Sequence, residues 1–151
     1  MLTQTHSTMT TTNIYLNFNG NCREAFTFYQ SVFGGEFDFL GTFGEMPPQE
    51  DYPTPESDKD LIMHISLPIS KETTLMGSDT GSGFPKVTFG NNFSIYVNTE
   101  SKTEADRIFA GLSAAGTVTM PLEDTFWGSY FGSVEDKFGV NWMVSYDLNP
   151  Q

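Results

Sequence analysis

Apolar and polar residues alternate with a period of two along Ile14-Tyr15-Leu16-Asn17-Phe18, so Ile14, Leu16 and Phe18 share one face of a strand. The same alternation returns at Phe93, Ile95 and Val97, roughly 79 positions later. Each strand runs into a segment with helical spacing. Asn21 with Glu24, and Ser101 with Glu104, have the spacing of a capping box, which satisfies the free N–H groups of a helix start. The apolar stripes that follow correspond: Ala25, Phe28, Tyr29 and Val32 against Ala105, Ile108, Phe109 and Leu112. Gly34-Gly35 and Gly116 stand where a left-handed C-terminal cap is expected.

Three strands are predicted after each helix. They cover about Glu36–Gly41, Asp60–Leu67 and Thr73–Ser78, then Thr117–Leu122, Tyr130–Val134 and Asn141–Tyr146. In the last pair, Leu75–Asp79 lies over Met143–Asp147 at a displacement of about 68, which implies an insertion of around a dozen residues in the first copy. Gly44 to Lys59 is that insertion. It sets Pro47, Pro48, Pro53 and Pro55 among Glu45, Glu50, Asp51, Glu56 and Asp58, and reads as an exposed loop, either a solvated excursion or a lid. A second loop, Gly77 to Gly90, joins the copies, with Gly81-Ser82-Gly83 as a flexible centre. The expected organisation is a single α+β domain over 13–147, made of two βαβββ units at about 13–79 and 91–147. A disordered Thr/Ser-rich leader over 1–12 precedes it.

The chain has 151 residues, enough for a real core, and 14 of them are Phe. Nineteen acidic against seven basic side chains give a net charge of -12, which repels phosphate backbones and anionic lipid. Nucleic acid and membrane are therefore not expected partners. One cysteine, Cys22, leaves no internal disulfide and fits a reducing compartment. The leader is not a signal peptide, and no apolar stretch spans a bilayer, so a cytoplasmic location is expected.

Candidate chemistry is sparse. His64 is the one histidine outside the leader and lies in an otherwise apolar strand. It reads as a general base or lone ligand, because imidazole exchanges protons near neutral pH, or as a structural histidine bonded to a neighbouring strand or loop. Glu123, Asp124, Phe126 and Trp127 cluster in a turn. An acid beside a large aromatic can bind or protonate a ligand, whereas the bland alternative is a turn anchored by its rings with its acids in water. Cys22 beside Arg23 at a helix start is read as a small buried side chain rather than a nucleophile, since no local His-carboxylate pair accompanies it. Tyr29, Phe33, Phe37, Phe39 and Phe43 are read as core, with a stacking surface as the alternative. Gly81-Ser82-Gly83 lacks the spacing of a phosphate- or dinucleotide-binding loop.

The strand-helix-three-strand unit, used twice, resembles the vicinal oxygen chelate superfamily of glyoxalase I, extradiol dioxygenases and bleomycin-resistance proteins. The resemblance narrows to its PhnB-like branch. Tyr15–Asn21, Glu24-Ala25, Phe28-Tyr29, Phe33–Gly35 and Met63–Ile65 carry the resemblance, with Met120–Gly128 and Phe138–Trp142 the most specific. It implies two half-barrels, a curled and mostly antiparallel sheet around a cavity with the helices outside, and a homodimer. It also implies a ligand site that includes His64, Met120, Glu123, Phe126 and Trp127.

Metal-dependent relatives draw His, Glu or Gln ligands from the first and last strands of both units. The matching positions here are approximately Ile14, Met76, Phe93 and Val144, all apolar. PhnB-like proteins have been labelled demethylubiquinone methyltransferases, but no glycine-rich turn for a nucleotide-like methyl donor is seen. The resemblance therefore implies a binding protein for a small aromatic or apolar molecule, with no cofactor and no metal. The alternative is a metal-assisted lyase, isomerase or dioxygenase using His64, with Glu123 as the second catalytic candidate. A third reading gives the acidic proline-rich loop a protein partner.

Overall fold

The computed structural model describes residues 9–47 and 49–149. The expected leader lies mostly outside them, as does Pro48 of the insertion. By their contacts the described residues group into two compact units. The first runs to Phe26 and resumes over Gly35–Val87; the second takes Thr27–Gly34 and continues from Thr88.

In the first unit, β1 (Ile14–Phe18), β2 (Phe39–Thr42), β3 (Ile62–Pro68) and β4 (Thr74–Asp79) form one sheet in the order β1-β4-β3-β2. β1 runs parallel to β4, and the other pairs are antiparallel. β1 keeps its predicted alternation: Leu16 and Phe18 are buried, Tyr15 and Asn17 exposed. Ile65, Leu67 and Leu75 complete the apolar layer.

Helix α1 (Cys22–Phe33) buries Cys22, Ala25, Phe26, Tyr29 and Val32, so Phe26 replaces Phe28 in the expected stripe. Phe26 explains Gly77. A Cβ at 77 would lie 2.7 Å from the Phe26 ring, so this glycine serves close packing inside β4. The connecting loop accordingly begins at Thr80 rather than at Gly77.

Asp79, at the end of β4, is buried and organises the helix start. One carboxylate oxygen accepts the Gly20 and Cys22 N–H groups at 2.9 Å each, and the other accepts Ile62 N–H at 2.9 Å. Gly34 and Gly35 then take φ values of +79° and +81°, the left-handed turn the sequence predicts. The insertion contains two single-turn 3-10 helices, Phe43–Glu45 and Glu56–Asp58, where none was expected. Short i→i+3 turns tolerate the Pro-rich context because Pro55 precedes the second without donating to it.

The second unit repeats the plan. β5 (Ile95–Asn98), α2 (Lys102–Ser113), β6 (Thr117–Asp124), β7 (Ser129–Glu135) and β8 (Asn141–Asp147) give a sheet in the order β5-β8-β7-β6. β5 is parallel to β8 and the remaining pairs are antiparallel. The Ser101 hydroxyl accepts Glu104 N–H at 3.0 Å, as its capping position requires. Phe93 lies before β5 and is exposed, so only Ile95 and Val97 of the expected stripe sit on the strand.

The α2 cap differs from expectation: Ala115 takes the left-handed φ of +59° and Gly116 does not. Gly116 is small for another reason, since a Cβ there would lie 2.5 Å from the Glu135 carbonyl oxygen. Asp136 is the buried polar centre of this unit. Its Oδ2 accepts Tyr29 Oη–H at 2.7 Å and Trp142 Nε1–H at 2.9 Å, and its Oδ1 accepts the Phe138 and Val140 N–H groups at 2.8 and 3.1 Å. Tyr29 and Phe33 pack their rings 5.4 Å from Trp142.

The architecture of the described residues is thus α+β, with two α-helices and eight strands in two four-stranded mixed sheets, each open rather than closed.

Candidate functional site

The strand pairings show that the repeat extends to the sheet face opposite the packed apolar layer. In the first unit, Tyr15 pairs with Met76, Met76 with Ser66, and Ser66 with Phe39, one residue from each strand in sheet order. In the second, Tyr96 pairs with Met143, Met143 with Ser133, and Ser133 with Met120. Both rows read Tyr, Met, Ser and then a large apolar side chain. The next row also begins alike. Asn17 pairs with Ser78, the ladder from Ile65–Gly77 brings His64 beside Ser78, and His64 pairs with Gly41. Its counterpart is Asn98, Ser145, Phe131 and Glu123.

The two faces therefore share Tyr, Met, Ser, Asn and Ser. They diverge at Phe39 against Met120, His64 against Phe131, and Gly41 against Glu123. Three of the five predicted ligand contacts, His64, Met120 and Glu123, fall on these divergent positions. A duplicated framework needs the shared residues in both halves, whereas a residue present in one half alone is free to serve a site.

His64 is half-buried in an aromatic surround. Its Nδ1 lies 3.1 Å from Tyr15 Oη, and the two rings stack at 5.6 Å and 22°. The Phe39 ring is also 5.6 Å away, tilted by 40°. Phe39 is 48 % exposed, which corrects the expectation that it belongs to the core; strand alternation puts it on the open face with His64. Asn17 Oδ1 accepts Ser78 Oγ–H at 3.4 Å on the same face.

On the second face, Phe131 is the centre. Glu123 pairs with it across the ladder, Trp127 lies 5.9 Å from its ring edge-on, and Tyr96 lies 6.4 Å away. Phe126 contacts Trp127 at 5.0 Å but is 98 % exposed at the hairpin tip, so it does not anchor the turn. That turn has a three-residue loop closed by Thr125 N–H donating to Ser129 O at 2.9 Å, with Gly128 at φ +92°. Asp124 leaves this group: it pairs with Lys102 at 2.9 Å, and Lys102 also lies over the Tyr130 ring at 4.7 Å. The Tyr130 hydroxyl donates to Asp106, a bond that raises its phenol pKa above the ordinary value.

The register also corrects the expected metal positions. Ile14 and Val144 belong to the packed side, Phe93 precedes its strand, and only Met76 lies on an open face. At the last strand the error is one residue, because Met76 corresponds to Met143 through their tyrosine partners rather than to Val144. The open-face residues beside Ile14 and Val144 are Tyr15 and Met143. Among the described residues, no group of three or more His, Cys, Asp or Glu side chains is placed to hold a metal ion.

Cys22 is fully buried; burial, with the Asp79 carboxylate adding to it, pushes its thiol pKa up against the smaller opposing effect of Arg23. The insertion folds around a cavity of about 270 Å³ lined by Phe43, Met46, Pro47, Pro53 and Lys59 among others. Its end is tied down by buried Asp58, whose Oδ2 accepts both Ser82 N–H and Oγ–H at 2.9 Å.

Tyr15, Tyr96 and Phe131 share the open faces with the candidate residues although the sequence reading did not select them, and Phe39 joins them by its ring contact with His64 rather than its core reading. A signal existed: Tyr15 and Tyr96 are aromatics on the polar phase of an alternating strand, where a solvated face needs no ring.

Comparison with known proteins agrees with this architecture. Residues 10–145 match the family described as 3-demethylubiquinone-9 3-methyltransferase. Protein YjdN of Escherichia coli K12 is 34% identical over 137 residues, covering 87% of this chain and 91% of its own. The crystal structure of PA1353 from Pseudomonas aeruginosa is 40% identical with a TM-score of 0.78, covering 91% of this chain and 98% of that one. The PhnB protein of Bacillus cereus is 26% identical with a TM-score of 0.70, covering 89% and 98%. A glyoxalase/bleomycin resistance protein from Albidiferax ferrireducens, 16% identical with a TM-score of 0.58 over 91% and 97%, shares the fold.

Proposed function

We propose, for a chain that belongs to the PhnB-like 3-demethylubiquinone-9 3-methyltransferase family, that it binds a small aromatic or apolar molecule without a divalent metal. The observation that carries this reading is the half-buried His64 held between the Tyr15 and Phe39 rings on an open sheet face. The part-exposed rings offer apolar surface that a ligand can cover, and here they surround one polar group able to orient it. Glu123 and Trp127 beside Phe131, with Met120 paired to Ser133 on the same face, supply the corresponding surface in the second unit, with Phe126 at its edge. The protein is read as cytoplasmic, from its single cysteine and its lack of a spanning stretch, and as a homodimer, an expectation that rests on the family resemblance.

The reading departs from the methyl transfer in the family's description. The β1–α1 and β5–α2 joins carry one glycine between them, Gly20, rather than the glycine-rich turn that a nucleoside-type methyl donor needs.

Elemental mass spectrometry of protein purified without chelator or histidine tag tests the metal-free state. Substoichiometric metal, with no thermal stabilisation by added manganese, nickel or zinc, is expected. One bound ion per chain, lost in His64→Ala, would replace this reading with the metal-assisted enzyme. Micromolar binding of S-adenosylmethionine would replace it with methyl transfer.

A further inference from the structure

The His64 face holds one imidazole among uncharged neighbours. Tyr15, Asn17, Phe39, Ser66, Met76 and Ser78 bring no acid and no cation to it. The imidazole has two ring nitrogens, and Nδ1 is committed to the Tyr15 hydroxyl at 3.1 Å. A phenol O–H donates well and a neutral imidazole nitrogen accepts well, so donation from Tyr15 to Nδ1 is the favoured direction of a bond that the tautomer decides. With Tyr15 as the donor, the ring proton resides on Nε2.

We propose that Tyr15 is a positioning residue that fixes the Nε2–H tautomer of His64, and that this face takes an uncharged aromatic carbonyl compound through its oxygen. This rests on the reading of the face as a ligand site and names the chemical class it selects. Nε2–H donates, so the ligand atom beside it is an acceptor. Tyr15 and Phe39, each 5.6 Å from the imidazole, offer two rings against which a flat body stacks. A carboxylate would find no cation among these neighbours and would face a chain of net charge -12. An amine would meet an N–H donor where it needs an acceptor. A ketone or similar carbonyl satisfies all of these conditions.

The divergence of the two faces supports the assignment. Phe131 occupies the equivalent place in the second unit and donates nothing. The hydrogen-bond polarity is therefore particular to the first face, and does not follow from the duplicated framework.

Nitrogen-15 NMR of the imidazoles, recorded about two pH units above the usual histidine range, tests the tautomer directly. His64→Gln identifies which signals belong to His64. The Nε2–H pattern is expected in the wild-type protein and a tautomer mixture in Tyr15→Phe. An Nδ1–H pattern in wild type, or an unchanged pattern in Tyr15→Phe, overturns the positioning role.

Titration with 9-fluorenone and with its hydrocarbon analogue fluorene tests the ligand class. The ketone is expected to bind about fivefold or more tightly than fluorene, the difference one hydrogen bond makes, with a shift at His64 Nε2. In Tyr15→Phe that preference falls toward unity while fluorene affinity holds. Equal affinities with no His64 shift overturn the inference and leave the apolar-ligand reading standing. No binding of either compound overturns both.

Discussion

Ala115 carries a strain that its neighbour was expected to avoid. Among the described residues it is the one non-glycine with a left-handed backbone, at φ +59°. An L side chain in that region costs roughly 1 kcal/mol or more, partly offset on changing to glycine by the added freedom of the unfolded chain. Ala115→Gly should therefore raise stability by about 0.5 kcal/mol, seen as a higher urea midpoint at unchanged slope. Gly116 itself must stay glycine, because a Cβ there would lie 2.5 Å from the Glu135 carbonyl oxygen. The buried acids teach a related lesson. Asp79 and Asp136 look in the sequence like surface carboxylates at strand ends, yet each gathers N–H or O–H groups from residues distant along the chain. Asp136 also accepts the nearby Phe138 and Val140 N–H groups, which marks it as a turn residue, but the Tyr29 partner of Asp136 and all the partners of Asp79 lie far off in the chain.

At the scale of elements, the β6–β7 hairpin separates anchoring from display. Trp127 packs edge-on to Phe131, while Phe126 has no face against the sheet and is 98 % exposed. Phe126→Ser should leave the melting temperature within the range of a surface change, roughly 0.5 kcal/mol. Trp127→Ala should cost about 1 kcal/mol through its lost ring contacts, measured by the same thermal melt. The hairpin was legible in part. Its cluster of Glu123, Asp124, Phe126 and Trp127 stood out, but the sequence did not say that Asp124 turns to Lys102 while Glu123 stays beside Phe131. A one-residue change of phase decides that, and two register shifts in β6 make the phase unreadable from alternation alone.

At the scale of the whole molecule, the duplication in sequence and the grouping of contacts do not divide α1 alike. Thr27–Gly34 belongs with the second unit, where Tyr29 donates to Asp136 and Phe33 packs on Trp142. Arg107 adds a bond from Nη1 to the Val32 carbonyl at 2.8 Å. A fragment of residues 88–151 lacks these groups, leaving Trp142 partly uncovered and Asp136 short of a donor. It should show little cooperative thermal unfolding by circular dichroism, in contrast to the full chain. A sharp transition for the fragment would show that the α1 residues add nothing essential.

The order of strands and helices, the Ser101 cap, the Gly34-Gly35 turn and the position of the insertion were determined by the sequence itself. They depend on local spacing, and on glycine and proline geometry that acts within a few residues. The choice of His64, Met120 and Glu123 also came from residue type and family motif. Which side chains surround them did not. Tyr15 and Phe39 reach His64 only because four strands pair in the order β1-β4-β3-β2, and Phe131 meets Glu123 only through the β6–β7 ladder. Pairing register is a property of strands brought together from distant parts of the chain. A shift of one residue sends every side chain to the opposite face, so tertiary structure alone decided what each site residue touches.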